Sequence, residues 1–149
     1  MQAVIIQLLA SFLGALGFAI MFRVRKKLLL PASFGGLFTW SIYLALHHLL
    51  ATIFVPCLLA SAFAAAYAEI LARLLHAPAT LFVIPASVCL IPGSYLYQGM
   101  LAAVQSRMAD CQEQLFLMME FAVAIALGMS IVWTMIYMSS RFRRHHTAG

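Results

Sequence analysis

The chain is predicted to be an all-α integral membrane protein of about five transmembrane helices, its N-terminus outside, its C-terminus inside and its fourth helix broken at Pro92-Gly93. Three observations predict this. First, hydrophobic residues make up 65% of the 149 and charged residues 9%, with a mean hydropathy of +1.02. A soluble domain holds roughly 45–50% apolar and about 25% charged residues. A globule of this size cannot hide the surplus, so lipid must be its solvent, and no separate soluble domain fits. Second, the basic residues sit in short clusters between apolar runs, which is how membrane proteins encode orientation. That accounts for the formal net charge of +5 and argues against a nucleic-acid partner. Third, Ile91-Pro92-Gly93-Ser94-Tyr95-Leu96-Tyr97 interrupts an apolar run. Proline deletes a backbone donor, and such a break survives at membrane depth only where protein or a wet cavity covers the freed groups.

The predicted spans are residues 2–22, 28–46, 49–75, 79–104 and 115–138, followed by a basic tail over 139–149. The first is too long for a signal-peptide core and lacks a basic start, so it reads as a retained span. Arg23-Val24-Arg25-Lys26-Lys27 forms a basic loop. Pro31 falls near the start of the second span, where proline is tolerated. His47-His48 marks a short turn, and Pro56 lies within the long third span. His76-Ala77-Pro78 ends that span, and residues 105–114 form the longest polar loop. Charge fixes the parity. If the loop at Arg23–Lys27 and the tail with Arg141, Arg143 and Arg144 share the cytoplasmic side, an even number of crossings separates them. Five spans then leave only Arg107 outside, in a loop that also holds Asp110 and Glu113. Three crossings keep the same parity if the broken segment is re-entrant.

The third span carries a small-residue stripe, Ala60, Ala64, Ala68 and Ala72, of the kind that lets helix backbones approach closely in lipid. Beside it run Ser61, Ala65, Glu69 and Arg73. Glu69 and Arg73 lie one turn apart in the favoured order for an ion pair. Ionisable residues at membrane depth are functional candidates, and the competing reading is an interfacial pair that anchors the helix. The fourth span holds Pro85 and Pro92 with Gly93 following. A helix restarting there turns backbone N–H groups and a positive dipole end toward an anion. Pro92, Gly93, Ser94, Tyr97 and Gln98 are the candidate solute contacts, against the alternative of a packing kink. Glu120, early in the fifth span, is a candidate proton carrier because burial favours the protonated carboxyl. The alternative is a carboxylate reaching the outer interface. Ala124 and Gly128 form a second small-residue pair.

Other features point away from chemistry. His47-His48 and His145-His146 are adjacent pairs whose members diverge on a helix, with no third ligand at a fixed spacing. No metal site is expected. Cys57, Cys89 and Cys111 follow no disulfide or zinc pattern and read as small fillers. Trp40, Trp133, Tyr43 and Tyr137 suit interfacial aromatic belts. No nucleophile–base pair, phosphate loop or dinucleotide fingerprint occurs, so neither an enzyme nor a cofactor is expected.

Three stretches carry a family resemblance. They are Gly17-Phe18-Ala19-Ile20-Met21-Phe22-Arg23-Val24, then Ala68-Glu69-Ile70-Leu71-Ala72-Arg73 before Pro78, then Pro85 through Ile91-Pro92-Gly93-Ser94-Tyr95-Leu96-Tyr97-Gln98-Gly99-Met100. Together they resemble the small subunit of the split threonine/serine exporter family, the ThrE-like membrane proteins. The resemblance implies the C-terminal half of a ten-helix secondary exporter in the bacterial inner membrane. It implies a larger five-span partner subunit, small amino acids as solutes and coupling to the proton gradient. Some such exporters would carry dicarboxylates such as succinate, since both solute classes bear a carboxylate. By motif, the implied functional positions are Glu69, Arg73, Pro92, Gly93 and Tyr97. The expected mechanism has the Gly93 break binding the carboxylate, Glu69 or Glu120 carrying the proton, and small-residue faces sliding against the partner half. A homo-oligomeric transporter and a non-transport accessory subunit are the rivals.

Overall fold

Apolar runs in lipid must satisfy their backbone internally, and helix is the way a single segment does so. The computed structural model describes residues 2–50 and 52–146, with the side chains of residue 3 and of 140–146 left out. The side chains of the basic tail, including Arg141, Arg143, Arg144, His145 and His146, therefore lie outside the described residues. The described chain forms α1 (Gln2–Met21), α2 (Lys26–Leu50), α3 (Phe54–Leu75), α4 (Thr80–Ser87), a 3-10 segment (Val88–Leu90), α5 (Gly93–Val104) and α6 (Met108–His146). There is no strand among the described residues. Helices α1, α2, α3 and α6 are each long and apolar enough to cross a membrane. The pair Thr80–Leu90 and Gly93–Val104, bent by 47°, makes a fifth candidate when taken together.

Several helix ends differ from those read in the sequence. The turn expected at His47-His48 is helical, because α2 continues to Leu50 and the two histidines occupy its last turn, where a helix favours cationic side chains. Helix α3 begins at Phe54, which puts Pro56 in its first turn, where the missing N–H has no partner to lose. Pro31 sits inside α2, and its carbonyl accepts a 2.7 Å bond from the Tyr67 hydroxyl on α3. The polar loop contracts to 105–107, since α6 starts at Met108. Polar residues there are compatible with helix, and Asp110 suits the positive end of the dipole. Arg107 and Asp110 pair at 3.2 Å.

Three helices stop in the same way without glycine. Arg23, His76 and Ser106 take left-handed φ values of 52°, 49° and 60°. The following residues reach back to close the turn: Val24 N–H to Ala19 O at 3.0 Å, Ala77 to Ala72 at 3.1 Å and Arg107 to Ala102 at 2.9 Å. This six-to-one bond satisfies carbonyls that a helix end leaves open.

Side-chain contacts give the directions of the helices. Ala15 and Ser11 of α1 meet Gly36 of α2, and Phe12 meets Phe34. Tyr67 of α3 meets Pro31, while Cys57 shares a cluster with Tyr43. Thus α1, α2 and α3 alternate. Phe82 and Val83 of α4 pack with Ala68, and Leu90 packs with Cys57 and Ala60, so α4 runs antiparallel to α3. Gly99 lies against Gln114 and Leu115, and Tyr95 against Phe121, so α5 and α6 are antiparallel. Helix α6 then runs parallel to α3 through Cys57–Phe121 and Ser61–Ala124. The path from α4 to α5 bends but does not reverse. Helix α6, with 39 residues, is about 58 Å long at ~1.5 Å per residue, well beyond a hydrocarbon core of about 30 Å.

The small-residue stripes are spent inside the chain. Ala60, Ser61, Ala64, Ala65 and Ala68 are all fully buried. Ala68 belongs to a cluster shared with α2 and α4, Ala60 to one shared with α2 and α6, and Ser61 meets α6. The expectation that these faces slide against another subunit is therefore corrected. Without a Cβ, or with only a methyl, two backbones of one chain pack at short range, and the faces are already occupied.

Candidate solute path

The break is built by proline. Ile91, as the residue before Pro92, is extended (φ −63°, ψ 123°), because the proline ring clashes with a helical predecessor. Pro92 (φ −79°, ψ 50°) makes a tight turn in which Gly93 N–H donates to Ile91 O at 2.8 Å. That donor is therefore not free for a solute. Helix α5 starts at Gly93 with no side-chain cap. Gly93 itself has no positive φ, and an added Cβ would meet nothing within 4 Å. We therefore expect Gly93→Ala to leave thermal stability within about 0.5 kcal/mol of the parent. Any loss of transport in that variant then reports on the solute path. A large fall in melting temperature would instead reveal a packing role.

The predicted contacts on α5 lie mostly on its exposed side. Ser94, Tyr97 and Gln98 are exposed, Tyr97 to 67%, and Pro92 is half-buried. The inward side consists of Tyr95, Gly99 and Ala102. Their i, i+4, i+7 spacing was the available signal for this face. The Tyr95 ring lies tilted at 5.4 Å from Phe121, which lies 5.7 Å from Tyr43, which lies 5.0 Å from Trp40. Aromatic rings thus link the break to α2 through α6. Gln98 lines a polar hollow of about 280 Å³ with Arg107, Asp110, Glu113 and Gln114.

The two candidate carboxylates fall at different ends. Glu120 is half-buried and precedes Phe121, whose carbonyl receives the Cys57 Sγ–H at 3.8 Å. It has no ion pair or hydrogen bond among the described residues. Glu69 pairs with Arg73, Oε2 to Nε at 3.8 Å, and Arg73 is two-thirds exposed. Both line a mainly apolar groove of about 360 Å³ between α3 and α6, with Ala66, Ile70, Val132, Met135 and Ile136. Along α3, Cys57 and Glu69 are separated by about 18 Å at ~1.5 Å per residue. Glu120 therefore shares its end of the bundle with the break, and Glu69 does not.

The described residues hold no cluster of three or more His, Cys, Asp or Glu that would suit a metal. Cys57, Cys89 and Cys111 are free thiols. Two close crossings escaped the sequence reading in whole or part. A Cβ on Gly36 would come within 2.6 Å of Ala15 Cβ, and within 3.2 and 3.3 Å of the Ser11 and Pro85 carbonyls. One on Gly128 would collide with Ser61 Oγ and Leu58 O. Gly36 gave no signal beyond its type, because which glycine meets a neighbour depends on the packing.

No curated protein and no solved structure shows a significant match to this sequence. The family model for the threonine/serine exporter ThrE matches residues 7–135. A multi-pass helical chain of this composition, with one helix broken by proline and matched over most of its length, belongs to the threonine/serine exporter (ThrE) family of membrane transporters.

Proposed function

We propose that this chain is the smaller half of a split secondary exporter of threonine and serine, driven by the proton gradient and working with a larger five-span subunit. The observation that carries this reading is the unpartnered outer side of α5. Ser94, Leu96, Tyr97, Met100 and Val104 are exposed immediately after the break. A break at membrane depth needs covering protein or a wet cavity, and a second subunit supplies both. The solute carboxylate binds near the start of α5, where the helix dipole favours an anion. Pro92 sets the angle of that helix, while Ser94, Tyr97 and Gln98 offer side-chain donors. Glu120 carries the coupling proton. The Glu69–Arg73 pair anchors the opposite end of α3.

In this reading the chain lies in the bacterial inner membrane as five spans, near residues 2–22, 28–46, 49–75, 79–104 and 115–138. Its N-terminus is outside, and the segment 139–149 is cytoplasmic. Arg23, Arg25, Lys26, Lys27 and Arg73 collect at one end of the alternating bundle, which supports that orientation through the positive-inside bias.

The test is efflux from cells preloaded with labelled threonine and labelled succinate. The cells express this chain alone, with its larger partner, or neither. Threonine efflux only with both chains is expected. Faster succinate efflux would move the solute class to dicarboxylates. Efflux with this chain alone would favour a homo-oligomer, and none under any condition an accessory subunit.

A further inference from the structure

Helices α3 and α6 approach tightly at Gly128, where an added Cβ would collide with Ser61 Oγ and Leu58 O. One turn further along both helices lies the groove of about 360 Å³, from Ala66 and Val132 to Arg73. It follows α3 for about 10 Å at ~1.5 Å per residue. Ala66, Ile70, Val132 and Ile136 give it apolar walls, and Glu69 and Arg73 stand at its end. Glu69 is about a quarter exposed and Arg73 two-thirds exposed. The Arg73 Nε stands 3.8 Å from the Glu69 carboxylate, beyond hydrogen-bond distance. A guanidinium carries five N–H donors, and those of Arg73 make no hydrogen bond among the described residues. The charge around this end is one-sided. Val24 and Leu28 pack with Ala68, which brings the loop of Arg23, Arg25, Lys26 and Lys27 to the level of the groove. Helix α6 continues past Ile136 to His146, and its last turns carry Arg141, Arg143 and Arg144 in the sequence. Among the described residues Glu69 is the one acid at this end, since Glu120 lies with the break and Asp110 and Glu113 lie in the first turns of α6.

An apolar groove between membrane helices that ends in an unspent guanidinium, within a basic surround, matches one occupant. A water-soluble anion has no use for the apolar walls. A zwitterionic lipid fills them but gains nothing from the surplus of positive charge. An anionic phospholipid uses both features, and basic pockets between membrane helices are where such headgroups bind. We propose that the groove between α3 and α6 binds one anionic phospholipid from the leaflet at the basic end of the bundle. An acyl chain lies along Ala66, Ile70, Val132 and Ile136. The phosphate meets the Nη groups of Arg73, and the neighbouring basic residues add attraction through space. Glu69 tempers the affinity, because its carboxylate presents like charge to the phosphate. The site needs only a membrane-spanning chain, so it stands apart from the choice of exported solute.

The test counts lipid bound to the full chain in detergent by native mass spectrometry. The probes are phosphatidylglycerol and phosphatidylcholine with the same acyl chains. The parent should hold one phosphatidylglycerol in preference to phosphatidylcholine. Arg73→Gln should cost about fivefold in phosphatidylglycerol affinity, the worth of one basic side chain at an anionic surface, and leave phosphatidylcholine unchanged. Arg107→Gln, which removes a charge at the opposite end, should change neither. Ala66→Phe fills the groove and should weaken both lipids. Glu69→Gln should tighten phosphatidylglycerol, and a gain of binding cannot come from a misfolded chain. Equal losses in Arg73→Gln and Arg107→Gln would mean attraction to net charge alone and overturn the site. Parent-like phosphatidylglycerol binding in Ala66→Phe, or no gain in Glu69→Gln, would also overturn it. Phosphatidylglycerol displaced whenever the larger subunit is added would assign the groove to that subunit and overturn the lipid site.

Discussion

Gly128→Leu is expected to destabilise the chain by about 3 kcal/mol, the upper end of the usual cost of overpacking a tight contact. The seam between α3 and α6 closes at this residue. A Cβ at position 128 would run into Ser61 Oγ and Leu58 O, with Ala62 N at 3.1 Å. Ser61 cannot turn aside freely, because its hydroxyl bonds Leu58 O at 2.9 Å and lies 3.4 Å from Ala124 O. Backbone cannot move out of the way as a flexible side chain would, so the helices must separate. Separation in turn opens the contact between Cys57 and Phe121 and loosens the rings that reach Tyr95. We expect the melting temperature in detergent to fall by about 5–10 °C, with a loss of monodisperse protein. Gly14→Leu is the matched control, since an added Cβ there meets nothing within 4 Å. An equal fall in both variants would show that leucine, rather than the seam, is responsible.

Glu120→Gln is expected to uncouple export from the proton gradient. Glutamine imitates the protonated carboxyl in shape and cannot release a proton. Glu120 sits half-buried beside Phe121 with no ion-pair partner among the described residues, and it shares an end of the bundle with the break. In vesicles carrying both subunits, an imposed proton gradient should accelerate threonine efflux in the parent. The variant should lose at least about tenfold of that acceleration, or roughly 1.4 kcal/mol of driving interaction. Exchange of threonine at equal pH should survive. Glu69→Gln should change gradient-driven export less than about threefold, because Glu69 is paired with Arg73 at the far end of α3. Gradient-driven export intact in both variants would remove the proton role from this chain. A strong effect confined to Glu69→Gln would transfer the role to the Glu69 end of α3.

Membrane character, helical class and the break are legible in the sequence. They depend on composition and on local covalent facts: apolar length, the missing N–H of Pro92 and the constraint that it puts on Ile91. The family was legible too, through motifs carried in short stretches. Helix ends were less so. Residues 105–114 look like a loop because polarity at a membrane surface and polarity in a loop give the same letters. The non-glycine stops at Arg23, His76 and Ser106 leave no mark in residue type. On α5, Tyr97 was picked out by motif, while the ring turned toward α6 is the half-buried Tyr95.

The sequence by itself determined that this chain lives in lipid as helices and where one of them must break, because those outcomes follow from backbone satisfaction segment by segment. Only the tertiary structure decided which small residues meet. It put the stripe at Ala60–Ala68 inside the chain, aligned Gly128 with Ser61, grouped Glu120 with the break, and left a groove between α3 and α6 that ends at Glu69 and Arg73. Those are contacts between helices distant in sequence. Rotation and register set them, and both are fixed by packing summed over the whole bundle, not by any one segment.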